Sequence, residues 1–137
     1  MSARTKARKR ALDLLYGADL REISLNAAIA IEAAHDLAEP KRSSSWPYAR
    51  QIVEGIAAHG DEIDELIETY AQGWTINRMP VIDRAIVRIG IWEILFNDEV
   101  PDGVAISEAV DAAQSLSTED SASFVNGLLG RVAKTRS

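Results

Sequence analysis

The sequence predicts an all-α protein, a compact bundle of about seven helices in a single domain spanning residues 1–137. Three observations carry that prediction. Apolar residues recur at helical spacing along most of the chain, convincing runs of alternating apolar and polar residues are missing, and the β-branched residues are scattered among alanines. The stretches between the periodic segments are short, which favours antiparallel neighbours. A chain of 137 residues that is 47% apolar is large enough to close its own core.

The first helix is expected from about Lys6 to Leu20, with Leu12, Leu15, Tyr16 and Asp19 toward one side. Its N-terminal end is basic, which opposes the helix macrodipole, so this end should fray until an anion meets it. Ser24 caps a second helix running to about His35, with Ile29 and Ile31 among alanines. Glu39-Pro40-Lys41-Arg42-Ser43-Ser44-Ser45 reads as a loop. Ser45-Trp46-Pro47 opens a third helix that turns Ile52, Val53 and Ile56 inward and stops at Gly60. Asp61 caps a fourth helix through Tyr70, with Ile63, Leu66, Ile67 and Tyr70 at helical spacing, and Gly73 ends it. Trp74 to Met79 reads as irregular. Pro80 then opens the most strongly patterned segment, Val81 to Phe96. There Ile82, Ala85, Ile86, Ile89, Trp92 and Leu95 or Phe96 form a broad apolar stripe, as a central helix requires. After a loop at residues 97–101, Asp102 caps a sixth helix that offers Val104, Ile106, Ala109, Val110, Ala113 and Leu116 for packing. A turn at residues 117–121 precedes the last helix, Ser123 to about Lys134, with Phe124, Val125, Leu128, Leu129 and Val132 inside. Gly127 and Gly130 interrupt that helix at about 1 kcal/mol each relative to alanine. Close helix-to-helix approach or a kink would account for them.

Charge is segregated. The first ten residues carry Arg4, Lys6, Arg8, Lys9 and Arg10 and no acidic residue, while the whole chain is −6. A basic arm on an acidic body favours a polyanion and limits non-specific contact with one, which makes nucleic acid the first partner to weigh against an ordinary solvated tail. Tyr16 follows the arm by under two helical turns. Unpaired RNA is recognised by stacking bases on aromatic rings while cations hold the phosphates, and Tyr16 beside five cations suits that recipe as well as it suits a core position.

The chemistry of catalysis is harder to find. There is no cysteine, so disulfides and thiolate metal sites are excluded and a reducing cytoplasm is the default compartment. No apolar run reaches the roughly 18 to 20 residues that would span a bilayer. His35 and His59 fall at the ends of different helices and outside any metal-binding spacing, so no metal and no cofactor is expected. Asp61, Glu62, Asp64, Glu65 and Glu68 form an acidic helix face that lacks a nearby nucleophile and reads as solvated. The expectation is a binding protein, not an enzyme.

A family resemblance sharpens this. Arg8-Lys9-Arg10-Ala11-Leu12 with Leu15-Tyr16 opens the chain. Asp83-Arg84-Ala85-Ile86-Val87-Arg88-Ile89 with Trp92-Glu93-Ile94-Leu95 follows, then Val100-Pro101 and Val104-Ala105-Ile106-Ser107-Glu108-Ala109-Val110. Glu119-Asp120-Ser121 and Phe124-Val125-Asn126-Gly127-Leu128-Leu129 complete the series. In order and spacing these blocks resemble the NusB family of transcription antitermination factors over nearly the full length, with residues 21–50 alike in pattern only. The resemblance implies about seven helices in two sub-bundles and binding of boxA, a short single-stranded element of ribosomal-RNA leader transcripts. It further implies a heterodimer with NusE, a small-subunit ribosomal protein, and indirect contact with other Nus factors and RNA polymerase.

By the same resemblance, Arg4, Lys6, Arg8, Lys9 and Arg10 would hold phosphates and Tyr16 would contact a base or sugar. Asp83, Asp120 and Phe124 match family positions near the RNA, where carboxylates accept from base amino groups and Phe124 stacks. Each also has a plain structural reading: Asp120 as an N-cap, Phe124 as core, Asp83 as a counter-charge to Arg84 or a cap. Asn126 reads as a structural hydrogen-bonder. Gln114 and Ser123 stand where some members carry lysine, and Leu116 replaces a common phenylalanine, which would shift affinity onto the arm. The competing reading, motivated by the acidic stretch at residues 61–68, is a helical protein-interaction module or homodimer whose arm binds an acidic protein or folds onto its own acidic helix.

Overall fold

The computed structural model describes residues 2–39 and 44–136. Among them are seven α-helices and no strand: α1 (Ala3–Arg21), α2 (Leu25–Ala38), α3 (Trp46–Ala58), α4 (Gly60–Tyr70), α5 (Val81–Phe96), α6 (Asp102–Leu116) and α7 (Glu119–Lys134), with a 3-10 turn at Ile76–Arg78. The all-α expectation holds. The chain divides into two compact units, Met1–Ala58 and His59–Ser137.

In the first unit, α1 begins earlier than the periodicity predicts. Ser2 caps it by accepting the Thr5 N–H at 3.1 Å, so the basic arm is helical rather than frayed. Glu22, at φ 55°, ends the helix in the left-handed region and donates to the carbonyls of Ala18 and Asp19. The inward stripe is Ala7, Ala11, Leu12, Leu15 and Ala18; Tyr16 is outside it, 39% exposed. Ser24 caps α2 as expected, and that helix continues to Ala38. The expected loop at residues 39–45 falls largely outside the described residues, since 40–43 are not described. Ala49, Ile52, Val53 and Ile56 of α3 complete the core against α1 and α2.

The second unit forms around α5, whose observed limits match the predicted segment. Ala85, Ile86, Val87, Ile89, Ile91, Trp92 and Ile94 are all buried, because α4, α6 and α7 all pack on it. Gly60 does not stop α3; it is the first residue of α4, and His59 takes the cap position. The His59 ring stacks on Phe96 with centroids 3.9 Å apart, which fixes the start of α4 where a side-chain cap is absent. Asp102 is likewise not a cap: it sits inside α6 and accepts from Arg136 at 2.9 Å. The seam of α6 is made by Ala105, Ala109 and Ala113, while Val104 and Leu116 are exposed. Thr118 caps α7, which therefore starts four residues before the expected Ser123.

The glycines also differ from expectation. A Cβ at Gly130 would meet nothing within 4 Å, and one at Gly127 would meet only the Arg131 guanidinium. The close helix approach is at Gly90 of α5, where a Cβ would come within 2.6 Å of Leu129 Cδ1 on α7.

Candidate nucleic-acid interface

Helical geometry distributes the five arm cations over three sides of α1. Residues 4 and 8 share one flank, and Tyr48 of α3 lies there: the Arg4 guanidinium is 4.6 Å from its ring centroid and that of Arg8 5.8 Å. Arg8 is buried by this packing and Arg4 half-buried. Arg10 is on the opposite flank and only 5% exposed. Its NH2 donates to Glu32 at 2.8 Å and Asp36 at 3.1 Å on α2, its NH1 to Ser45 Oγ at 3.1 Å, and its guanidinium covers the Trp46 ring at 5.1 Å. Planar, always charged arginine suits such a fork between two carboxylates and a ring. Arg10 thus ties α1 to α2 and α3, and differs from the outward phosphate ligand the sequence suggests.

Lys6 and Lys9 face solvent. Lys9 pairs with exposed Asp13 at 3.2 Å, a contact worth little in water. Tyr16 is seven residues beyond Lys9, two turns along the same face. One outward strip of α1 therefore carries ammonium groups and an exposed phenol ring, the recipe for an unpaired polyanionic strand.

In the second unit Asp83 is 3% exposed in the first turn of α5. Its Oδ2 accepts from Ser121 Oγ at 2.7 Å, and Ser121 also bonds to the Thr118 cap at 2.9 Å and to Ser117 at 3.0 Å. Asp83 therefore anchors the start of α7 from inside. Asp120 and Phe124 are placed differently: Asp120 is exposed in the first turn of α7, and Phe124, one turn on, is half-buried. The Phe124 ring lies 5.7 Å from Trp74, tilted by 40°. The acidic face of α4 is partly used internally, since Asp64 receives Arg88 of α5 at 3.0 and 3.2 Å and Glu68 accepts the Ile76 N–H at 3.2 Å.

Sequence reasoning missed Tyr48 and Trp74 as ring partners, and Glu32 with Asp36 as the seat of Arg10. The last pair was visible in principle: two carboxylates at i and i+4 make one acidic spot on α2 that a cation should fill. Nothing in the spacing marked Tyr48 or Trp74, because their neighbours are remote in sequence. Among the described residues no cluster suited to a metal ion occurs, and no helix is long and apolar enough to cross a membrane.

The NusB family model matches residues 5–134. Over 136 residues the chain is 67% identical to the transcription antitermination protein NusB of Leifsonia xyli subsp. xyli (strain CTCB07), spanning 99% of this chain and 94% of that relative. The fold superposes on that of T. maritima NusB with a TM-score of 0.82 at 33% identity, covering 96% of this chain and 90% of that one. A structure of antitermination factors NusB and NusE in complex with double-stranded RNA matches with a TM-score of 0.83 at 27% identity, over 98% of each chain.

Proposed function

The chain belongs to the NusB family, and on that premise we propose that it is a cytoplasmic transcription antitermination factor that binds boxA-type single-stranded leader RNA together with NusE and so promotes ribosomal RNA transcription. It acts by binding, not by catalysis, and meets other Nus factors and RNA polymerase only through the assembled complex. The observation that carries this reading is the outward strip of α1, where Lys6, Lys9 and exposed Tyr16 share one side of a capped, ordered helix. Arg4 and Arg8 flank it, with their guanidinium groups against the Tyr48 ring. Arg10 supports the strip through Glu32 and Asp36 rather than touching phosphate. In the second unit Asp120 and Phe124 meet bases, and Asp83 holds the α7 start that presents them.

With three or four cations on phosphates rather than five, log K for single-stranded RNA should fall against log[salt] with a slope of about −2 to −3. The test is a titration of boxA-type RNA into wild type and into the Lys6→Gln/Lys9→Gln double variant, each with and without NusE. The double variant should bind more weakly and lose about 1.4 from the slope magnitude. Equal affinity and slope would reject the role of the arm. Self-association that is indifferent to RNA, seen by sedimentation, would favour the protein-interaction module instead.

A further inference from the structure

We propose that Trp74 is itself an RNA-contacting residue, forming with Phe124 a stacking shelf for an unpaired nucleobase. The inference rests on the reading of this chain as an RNA-binding factor and deepens it, because neither composition nor spacing singled out Trp74.

The three tryptophans are placed very differently. Trp46 is 7% exposed and Trp92 4%, whereas Trp74 is 47% exposed. An open indole presents a broad flat apolar face with a polar N–H, the side chain most enriched at contact surfaces. The segment that carries it is held at both sides. Gln72 at φ 44° and Gly73 at φ 93° reverse the chain after α4 in the left-handed region. The Ile76 N–H donates to Glu68 Oε1 at 3.2 Å, the Ile76 carbonyl accepts from Arg84 at 3.4 Å, and Met79 is buried. The turn therefore displays the indole at a fixed place beside α7. There Phe124 meets it at 5.7 Å between centroids and 40° between planes, a tilted contact that supports one side of the indole.

The surroundings decide what would occupy the shelf. Asp120 is exposed one turn before Phe124, and Thr118 and Glu119 beside it are also exposed. An apolar helix laid on the rings would bring unpaired carboxylates against apolar surface. A nucleobase offers a flat π face to the indole and an amino edge to a carboxylate, and so satisfies both. Asp120 and Glu119 disfavour phosphate beside Phe124, so stacking rather than phosphate attraction would carry binding at the rings. Stacking at Trp74 should thus govern affinity without governing salt dependence.

Trp74 reports stacking directly, since the other two indoles are buried away from a bound base and Trp74→Ala gives their background emission. The experiment titrates the full chain with a synthetic boxA-type RNA, as a single strand and annealed to its complement, following intrinsic fluorescence and affinity at several salt concentrations. Stacking predicts quenching by the single strand and much less by the duplex, whose bases are already stacked on one another. Trp74→Ala should weaken single-strand binding roughly 5- to 100-fold with the salt slope unchanged, and Trp74→Phe should recover most of the affinity. Melting curves of both variants exclude loss of fold as the cause. Wild-type affinity in Trp74→Ala with the α1 salt slope intact would overturn the shelf while leaving RNA binding standing. Quenching by NusE in the absence of RNA would make the rings a protein contact and overturn it equally. Absence of RNA binding by wild type, with and without NusE, would overturn the underlying reading as well.

Discussion

Helices α1 and α5 both turn charged side chains inward, yet they treat them differently. In α1 buried Arg10 takes two carboxylates from α2, buried Arg8 and half-buried Arg4 lie against Tyr48, and Lys6 and Lys9 lie on the outer strip. In α5 Asp83 is held by a hydroxyl of α7, Arg88 reaches Asp64 of α4, and Arg84 reaches the Ile76 carbonyl. The first unit buries Arg8 and Arg10 and keeps Lys6 and Lys9 exposed, so the lysines are what it can offer to a ligand. The second commits its central-helix charges internally, so what it can offer is a pair of rings and a carboxylate. On the proposed reading, phosphate attraction would belong to the electrostatic strip and base recognition to the aromatic shelf. Only the first should respond strongly to salt.

Removing Arg10 tests that division most severely. Arg10→Met keeps an unbranched stem over Trp46 but leaves Glu32 and Asp36, whose side chains are 17% and 12% exposed, facing each other without their counter-charge. Breaking one partner of such a pair costs about 3 kcal/mol. Urea unfolding should show that loss, and adding Glu32→Gln with Asp36→Asn should return part of it. A loss under about 1 kcal/mol would mean that Arg10 leaves its seat easily. It would then count with Lys6 and Lys9 as a cation available to phosphate, and the contrast between the two helices would weaken.

Much of this was legible in the chain beforehand, for a physical reason. Val81 to Phe96 was bounded correctly because a helix packed on several sides repeats its apolar residues through every turn, and Pro80 marks where it begins. The all-helical class followed from that same periodicity. The open or misread features depend on partners distant in sequence. The spacing of Tyr16 suits a core position and an outward ring alike, and the structure puts it outside the buried stripe of Ala7, Ala11, Leu12, Leu15 and Ala18. Gly60 has the composition of a stop, yet it starts α4 because His59 stacks on Phe96, thirty-seven residues away. At the candidate interface the exposed lysines were readable from charge alone. The burial of Arg10 and Asp83, and the pairing of Trp74 with Phe124, required the packing of three helices to become visible.

Ser121 probes the commitment of charge in the second unit. Ser121→Ala removes the hydrogen bond to Asp83 Oδ2, and among the described residues the buried Asp83 Oδ1 has no partner. It also removes the hydroxyl contacts to Thr118 and Ser117, while the Ser121 N–H still donates to the Thr118 cap. Leaving a buried acceptor unsatisfied costs about 2 kcal/mol, so denaturant unfolding should shift by that amount. RNA affinity should also fall, because α7 carries Asp120 and Phe124 and its first turn would loosen. Unchanged stability would show that water reaches the Asp83 carboxylate. Asp83 would then be free to take the direct base contact that its position in the family pattern suggests.

The smallest effect separates packing from propensity on the two helices that meet in the second unit. Alanine in place of a helical glycine returns up to about 1 kcal/mol when the new methyl has room. Gly130 has that room, with nothing within 4 Å of its missing Cβ, so Gly130→Ala should raise stability by roughly that amount. At Gly90 the same gain meets Leu129, whose Cδ1, Cδ2 and Cγ would lie 2.6, 3.0 and 3.4 Å from the new carbon. Leu129 is fully buried, so its whole side chain would have to move against a filled core. Overpacking of this kind costs about 1–3 kcal/mol, and the balance for Gly90→Ala should be a net loss of about 1 kcal/mol. Thermal melts of the two variants should therefore move in opposite directions. Movement in the same direction would mean that α5 and α7 can slide apart to admit a methyl. The second unit would then lack a rigid seam to hold Phe124 and Trp74 in register.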